Sequence, residues 1–309
     1  MNKRLSVIVA LFFCLTLSLF AGKADEKKLL KLVPAGAEAI VSVDTTDWLT
    51  LPALKKGLAE SPDVALFQKK TGLRPEDLGA ALFWAKEETW AFVTLWKKPF
   101  SPEKLFRAPD FLCSKVTMNG ETLYNVTSVK PVKKKKDRPV AFWIGQMPGN
   151  VVVFSQEVAM IGQALKAMKN KPAGFVFPAH VTGSLRGIVK GGKLPLQQLQ
   201  IGCQMTGAKR DAFSAMLQAT MNSPQEAEQM QGQAMLMCNL LLVQAMQNEP
   251  ELATDLIKQM KFNVTDSVVT LNVLLPGELL DRLGKFAAKK SLQESVRKKQ
   301  KKTTPAAVK

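Results

Sequence analysis

The chain has 309 residues, with 43 Lys and Arg against 26 Asp and Glu, a net charge of +17, four cysteines and one histidine. A single histidine excludes HExxH and other histidine-rich metal sites, and it leaves His180 as the sole imidazole for a Ser-His or Cys-His pair. No CxxC pair is present, which argues against a thioredoxin-like redox site and a zinc ribbon.

Lys3 and Arg4 precede an apolar run from Leu5 to Phe20, followed by Ala21-Gly22-Lys23-Ala24 and then Asp25-Glu26. A basic start, a short apolar core and small residues at the processing positions form a secretory signal, so cleavage is expected after Ala24. The run is shorter than the ~20 residues of a membrane span. Cys14 follows Phe12 and Phe13, where a lipid-attachment site would need small residues. Farther along, Ala234 to Met246 is too short to span and is interrupted by Asn239 and Gln244, so it reads as a buried helix. No transmembrane span is expected after cleavage.

The processed chain opens on a polar stretch and Pro34-Ala35-Gly36, then a strand over Glu38 to Asp44 and a helix from about Asp47 to Ala59. Ser61-Pro62-Asp63 caps a short helix that stops near Gly72. Runs at Ala80 to Lys86 and Thr89 to Lys97 predict a hairpin, and Ser101-Pro102-Glu103 starts another short helix. Asn119-Gly120 between two strand-like runs is the strongest short hairpin signal, because both turn positions need positive φ. Val140 to Gly145 and Val151 to Ser155 predict a further hairpin, followed by a helix from Gln156 to Met168.

The cluster Asn170-Lys171-Pro172-Ala173-Gly174 is a candidate boundary between residues 25–170 and 171–286. Beyond it, strands are expected near His180 to Val189, Leu199 to Met205 and Phe213 to Ala219. A capping box at Ser223-Pro224-Gln225-Glu226 opens a long helix to about Gln247. A helix from Pro250 to Met260, a hairpin at Phe262 to Thr265 and Val268 to Leu275, and a helix from about Pro276 complete the body, leaving a basic tail over 287–309. Strands that come as hairpins with helices between them predict an α+β protein with antiparallel sheet. The similar element order of the two halves raises the expectation of a duplication.

The opening LVPAGAEAIVSVDTTDWLTLPALKKGLAE resembles exported bacterial proteins of the domain-of-unknown-function type, whose mature chains begin Leu-Pro-Ala-Asp-x-x-x-x-Val-x-Val-Asp. The helix, hairpin and Leu-Pro step from Leu252 to Leu280 are similar to their C-terminal pattern. The resemblance implies an exported protein and carries over no functional residue. Val33 stands at the Leu position, and the lysine blocks have no counterpart in the pattern.

Basic charge is concentrated in two segments. Residues 128–138 (SVKPVKKKKDR) hold six basic residues against Asp137, and residues 285–309 hold nine against Glu294. The rest of the processed chain is nearly neutral, and neither run interleaves aromatics for base stacking, so no specific nucleic-acid partner is expected. Lys133, Lys134, Lys135 and Lys136, with Lys298, Lys299, Lys301 and Lys302, are the candidate anion-binding residues. Their partner would be an anionic envelope polymer or a lipid surface; the competing reading is a solvated loop and tail.

The remaining constellations read as structural. His180 is expected near a strand start, and Gly183-Ser184-Leu185-Arg186-Gly187 lacks the Gly-x-Ser-x-Gly spacing. Asp44 and Asp47 are the first choice for a carboxylate pair, but a strand-end acid and a helix-capping acid explain them better. Met230, Met235, Met237, Met246 and Cys238 raise Cu(I) binding, against which Met230, Met237 and Leu241 read as one core stripe. Cys113, Cys203 and Cys238 are expected as buried free thiols, with one disulfide allowed. No phosphate loop or dinucleotide motif occurs, and no cofactor is expected. The expectation is an exported, periplasmic or extracellular, non-catalytic binding or structural component. The alternatives are a binding module for an anionic polymer or membrane surface, and a carboxylate-based hydrolase.

Overall fold

The computed structural model describes residues 23–44, 58–59, 61–106, 111–118, 120–129, 141–170, 174–190, 196–207 and 211–286. The lysine runs at 130–138 and 287–309 and the whole apolar signal run lie outside them, as does the helix expected from Asp47 to Ala59 except for Leu58 and Ala59, which are helical.

The described helices are α1 (Lys23–Leu30), α2 (Pro62–Thr71), α3 (Pro102–Leu105), α4 (Val158–Asn170), α5 (Pro224–Ala245), α6 (Pro250–Lys258) and α7 (residues 277–286). Twelve strands join them: β1 (Ala39–Val43), β2 (Leu78–Lys86), β3 (Thr89–Trp96), β4 (Phe111–Met118), β5 (Glu121–Ser128), β6 (Ala141–Met147), β7 (Val151–Ser155), β8 (Leu185–Lys190), β9 (Gln198–Thr206), β10 (Ala212–Thr220), β11 (Met260–Thr265) and β12 (Val268–Leu275). All twelve belong to one sheet in the order β11-β12-β10-β9-β8-β1-β2-β3-β7-β6-β5-β4, and every neighbouring pair is antiparallel. The chain is mixed α+β with sheet predominant. The sheet runs unbroken across the candidate boundary at 170–174, because β1 pairs with β8.

Local chemistry explains the turns and caps. Ser61 Oγ accepts from the Val64 N–H at the start of α2, and Gly72 ends that helix at φ 74°. Gly120 sits at φ 79° in the β4–β5 turn, as the Asn-Gly signal requires. Ser223 Oγ accepts from the Glu226 N–H and caps α5, whereas Glu226 Oε2 accepts from the N–H of Asn222, one residue before the cap, so the reciprocal half of the expected capping box is not made. The strand expected from His180 begins only at Leu185, and residues 174–184 cross the sheet as an irregular segment. Gly183, at φ 115°, lies against the Cys203 backbone, and a Cβ on Gly202 would meet Thr182 O at 2.5 Å. The close approach of this segment to β9 therefore depends on two glycines.

Alternation along each strand gives the sheet two distinct faces. Ile40, Leu82, Trp84, Val93, Val153 and Ile188 point to the first face. There they pack with Leu29 and Leu30 of α1, Met160, Ile161 and Ala164 of α4, and Phe177 and Val181 of the 174–184 segment. Gly145 lies under Ile161, where any Cβ would collide, so a glycine in β6 admits α4 to the sheet. On the second face, Val41, Val43, Phe83, Leu185 and Cys203 form the central cluster. It is flanked by Tyr124, Val126, Ile144 and Val152 with Leu73 and Phe100 at one side, and by Leu252, Ala253 and Leu256 of α6 against Leu275 at the other. Ala227 of α5 packs on Val269.

Candidate functional site

None of the sequence-based anion-binding candidates, Lys133 to Lys136 and Lys298, Lys299, Lys301 and Lys302, lies within the described residues. What the fold brings together is a polar cluster on the first face, where α1 and the 174–184 segment meet β8 and β9.

Arg186 is the centre of this cluster. It is opposite Ser42 on β1 and Gly202 on β9, and all three point to the first face. Its Nη2 donates to Glu26 Oε2 at 2.5 Å, and its guanidinium carbon lies 4.7 Å from the centroid of the Phe177 ring. Glu26 is only 3% exposed, so the contact is a buried ion pair that ties α1 to a strand 160 residues away. Neither Glu26 Oε1 nor Arg186 Nε has a hydrogen-bond partner, and the buried Ser42 hydroxyl has none either. A buried pair left with unmade bonds is weak as a source of stability, yet costly to break from one side.

Beside it, His180 Nε2 donates to Gln200 Oε1 at 2.5 Å, and Gln200 Nε2 donates to Gln198 Oε1 at 3.1 Å. The acceptor is an amide oxygen, so the bonded ring nitrogen carries the proton. Gln218 stands opposite Gln200 on β10, with its Oε1 buried and unpartnered. The same register continues through Thr270 on β12 to Asn263 on β11. This row of amides and hydroxyls leads from the buried cluster to a part of the first face where Lys261, Asn263, Thr265, Asn272 and Leu274 are exposed.

The hydroxyl and thiols described near this cluster are not set up as nucleophiles. The Ser184 hydroxyl donates to Cys203 O at 3.5 Å, so it is directed at the sheet backbone and away from an imidazole. Burial pushes the Cys203 thiol up to about 12, far from the thiolate that nucleophilic chemistry needs. Burial, with the nearby Glu103 charge, raises Cys113 as well. All three described cysteines are free. Asp44 is buried at the end of β1, where its N–H donates to Ser184 O at 2.5 Å, and Asp47 is outside the described residues. Among the described residues, no three His, Cys, Asp or Glu side chains gather closely enough to hold a metal ion.

The methionine stripe is divided between packed and exposed residues. Met230 packs against the cluster of Met221, Ala227 and Val269, whereas Met237 and Leu241 are 52% and 55% exposed, so the three do not form one core stripe. The reading of Ala234 to Met246 as a buried helix is corrected on the same ground: one side of α5 rests on the sheet and the other is open. Among the described residues, no helix is long and apolar enough to cross a membrane.

Comparison of the chain with protein-family models, with curated proteins and with solved structures finds no match.

Proposed function

We propose that the chain is an exported, non-catalytic binding or structural component of the envelope, delivered to a periplasmic or extracellular space by residues 1–24. The observation that carries this reading is the pairing of its chemically capable side chains with one another. Arg186 is neutralised by Glu26, His180 is held by an amide, and the Cys203 thiol is kept protonated by burial. What the sheet presents for contact on the first face of β11 and β12 is Asn263, Thr265 and Asn272, with Lys261 and Leu274 beside them. The resemblance of the opening stretch to exported bacterial domains agrees with this reading.

Binding to an anionic polymer or membrane surface is the second reading, favoured by the concentration of positive charge in residues 128–138 and 285–309. One experiment separates the two. The processed chain is co-sedimented with purified cell-wall polymer and with anionic vesicles. It is compared with an N263A/N272A variant and with a variant that reverses Lys133 to Lys136 and lacks 287–309. Binding lost only in the asparagine variant supports the first reading, and binding lost only in the charge variant supports the second. Release of soluble fragments from the polymer overturns both in favour of a hydrolase.

We further propose that the two halves are a duplication. Each half lays down three consecutive sheet neighbours, β1-β2-β3 and β8-β9-β10. Each then brings the last strand of a later hairpin, β7 or β12, beside the third. Each set follows a helix and a Pro-Ala-Gly step whose glycine has positive φ, Gly36 at 79° and Gly174 at 85°. An experimental structure in which these strands do not superpose in this order rejects the duplication.

A further inference from the structure

The outer side of α5 carries Leu236, Leu240 and Val243, 69%, 50% and 53% exposed, flanked by Met235, Met237 and Leu241. Its opposite side, with Ala227, Met230 and Leu242, packs on the sheet and α6. From Gln229 to Asn248 the chain has no charged residue. A surface helix is ordinarily polar on its outer side, and one that is apolar all round is covered by something. Six large side chains at about half exposure offer on the order of 600 Å² in one strip, at the top of the range for the largest patch on a typical monomer.

We propose that this strip is covered by a second copy of the chain, through an isologous pairing of α5 with its own equivalent. Three features select that occupant. First, facing strips bury about 1,200 Å² in total, which reaches the lower bound of a specific interface. Second, a neutral strip is self-complementary: it meets its copy without like-charge repulsion, and it offers nothing to a charged partner. Third, Gln233, Leu236, Leu240 and Val243 follow the alternating three- and four-residue spacing of a helix–helix seam. An antiparallel arrangement about a two-fold axis near Leu240 sets Leu236 of one copy against Val243 of the other. A lipid surface is the poorer occupant, because α5 contains no Lys, Arg, Trp, Phe or Tyr to anchor it, and its first turn carries Glu226, with Glu228 just beyond.

Sedimentation equilibrium of the processed chain tests this. Twice the monomer mass is expected at micromolar concentration. Leu236→Gln with Leu240→Gln is expected to weaken association at least 100-fold with an unchanged circular dichroism spectrum, because both side chains are exposed. Leu112→Gln on the far sheet edge, at a residue 60% exposed, should leave the mass unchanged. Should the double variant misfold, hydrogen exchange of the wild-type chain gives a second readout, with protection over 233–247 rising as concentration is raised. A wild-type monomer at 100 µM, a dimer that survives the double substitution, protection independent of concentration, or partition of the monomer into neutral vesicles through this helix overturns the proposal.

Discussion

Removing the Glu26 carboxylate tests how α1 is held to the sheet. Glu26→Ala leaves the Arg186 guanidinium with Phe177 as its described contact, and with Nε already unpartnered. A buried pair broken from one side costs about 3–5 kcal/mol, and because the Arg186 side chain keeps 24% exposure the lower figure applies, about 3 kcal/mol. At this chain length such a loss lowers Tm by roughly 6 °C. Arg186→Met alone strands the carboxylate, which is only 4% exposed, and should cost at least as much. The double variant E26L/R186M replaces the whole pair by apolar groups and removes both orphan atoms, so it should lie within about 1 kcal/mol of the wild type. Urea denaturation followed by circular dichroism gives all three values, and the coupling between the sites should be several kcal/mol. If E26A lies within 1 kcal/mol of wild type, or the two single losses add in the double variant, the pair does not hold α1 in place.

Two further outcomes follow from the acid and thiol environments. Burial alone raises the Asp77 carboxyl, but hydrogen bonds from Lys98 and from the Arg74 N–H, with the charges of both residues, outweigh it and lower its pKa. The unfolded chain therefore holds this proton at higher pH than the folded one; the stabilisation is complete above the ordinary carboxylate pKa near ~4 and is lost as pH falls through the folded value. Asp77→Asn should cost about 1 kcal/mol at neutral pH, because Lys98 is largely solvent-screened. It should also flatten the acid limb of a stability-against-pH curve; an unchanged acid limb would falsify the assignment. Cys203, raised to about 12 by burial, should resist a thiol-specific disulfide reagent at pH 8 until denaturant is added. Labelling in the folded chain at the rate of a free thiol would contradict its burial in the cluster on the second face.

Much of the fold was legible from the chain because its signals are local. A helix cap is a contact between residues three apart, as at Ser61 with Val64 and Ser223 with Glu226. The Asn119-Gly120 hairpin depends on the φ preference of adjacent residues. Alternation along Phe262 to Leu275 marked the last hairpin by the same short-range logic. The first helix was not read: its inward residues, Glu26, Leu29 and Leu30, look like a polar leader until the sheet they cover is present. The delayed start of β8 was missed too, because residues 174–184 are held over the sheet by Phe177 and Val181 packing into the large core.

The candidate site was the least legible part. The residues that stand out in the sequence are lysine runs, noticed for their charge density. Arg186 and Glu26 are single charges far apart in the chain, and His180 gave no sign that an amide would occupy its ring nitrogen. The sequence by itself determined where turns and caps fall, that the strands come as antiparallel hairpins, and that the charge lies in two segments, since each follows from residues within a few positions of one another. Only the tertiary structure decided that β1 and β8 join all twelve strands in one sheet, that Glu26 meets Arg186, and that α5 leaves an apolar side open, because each depends on which distant surface comes to lie against which.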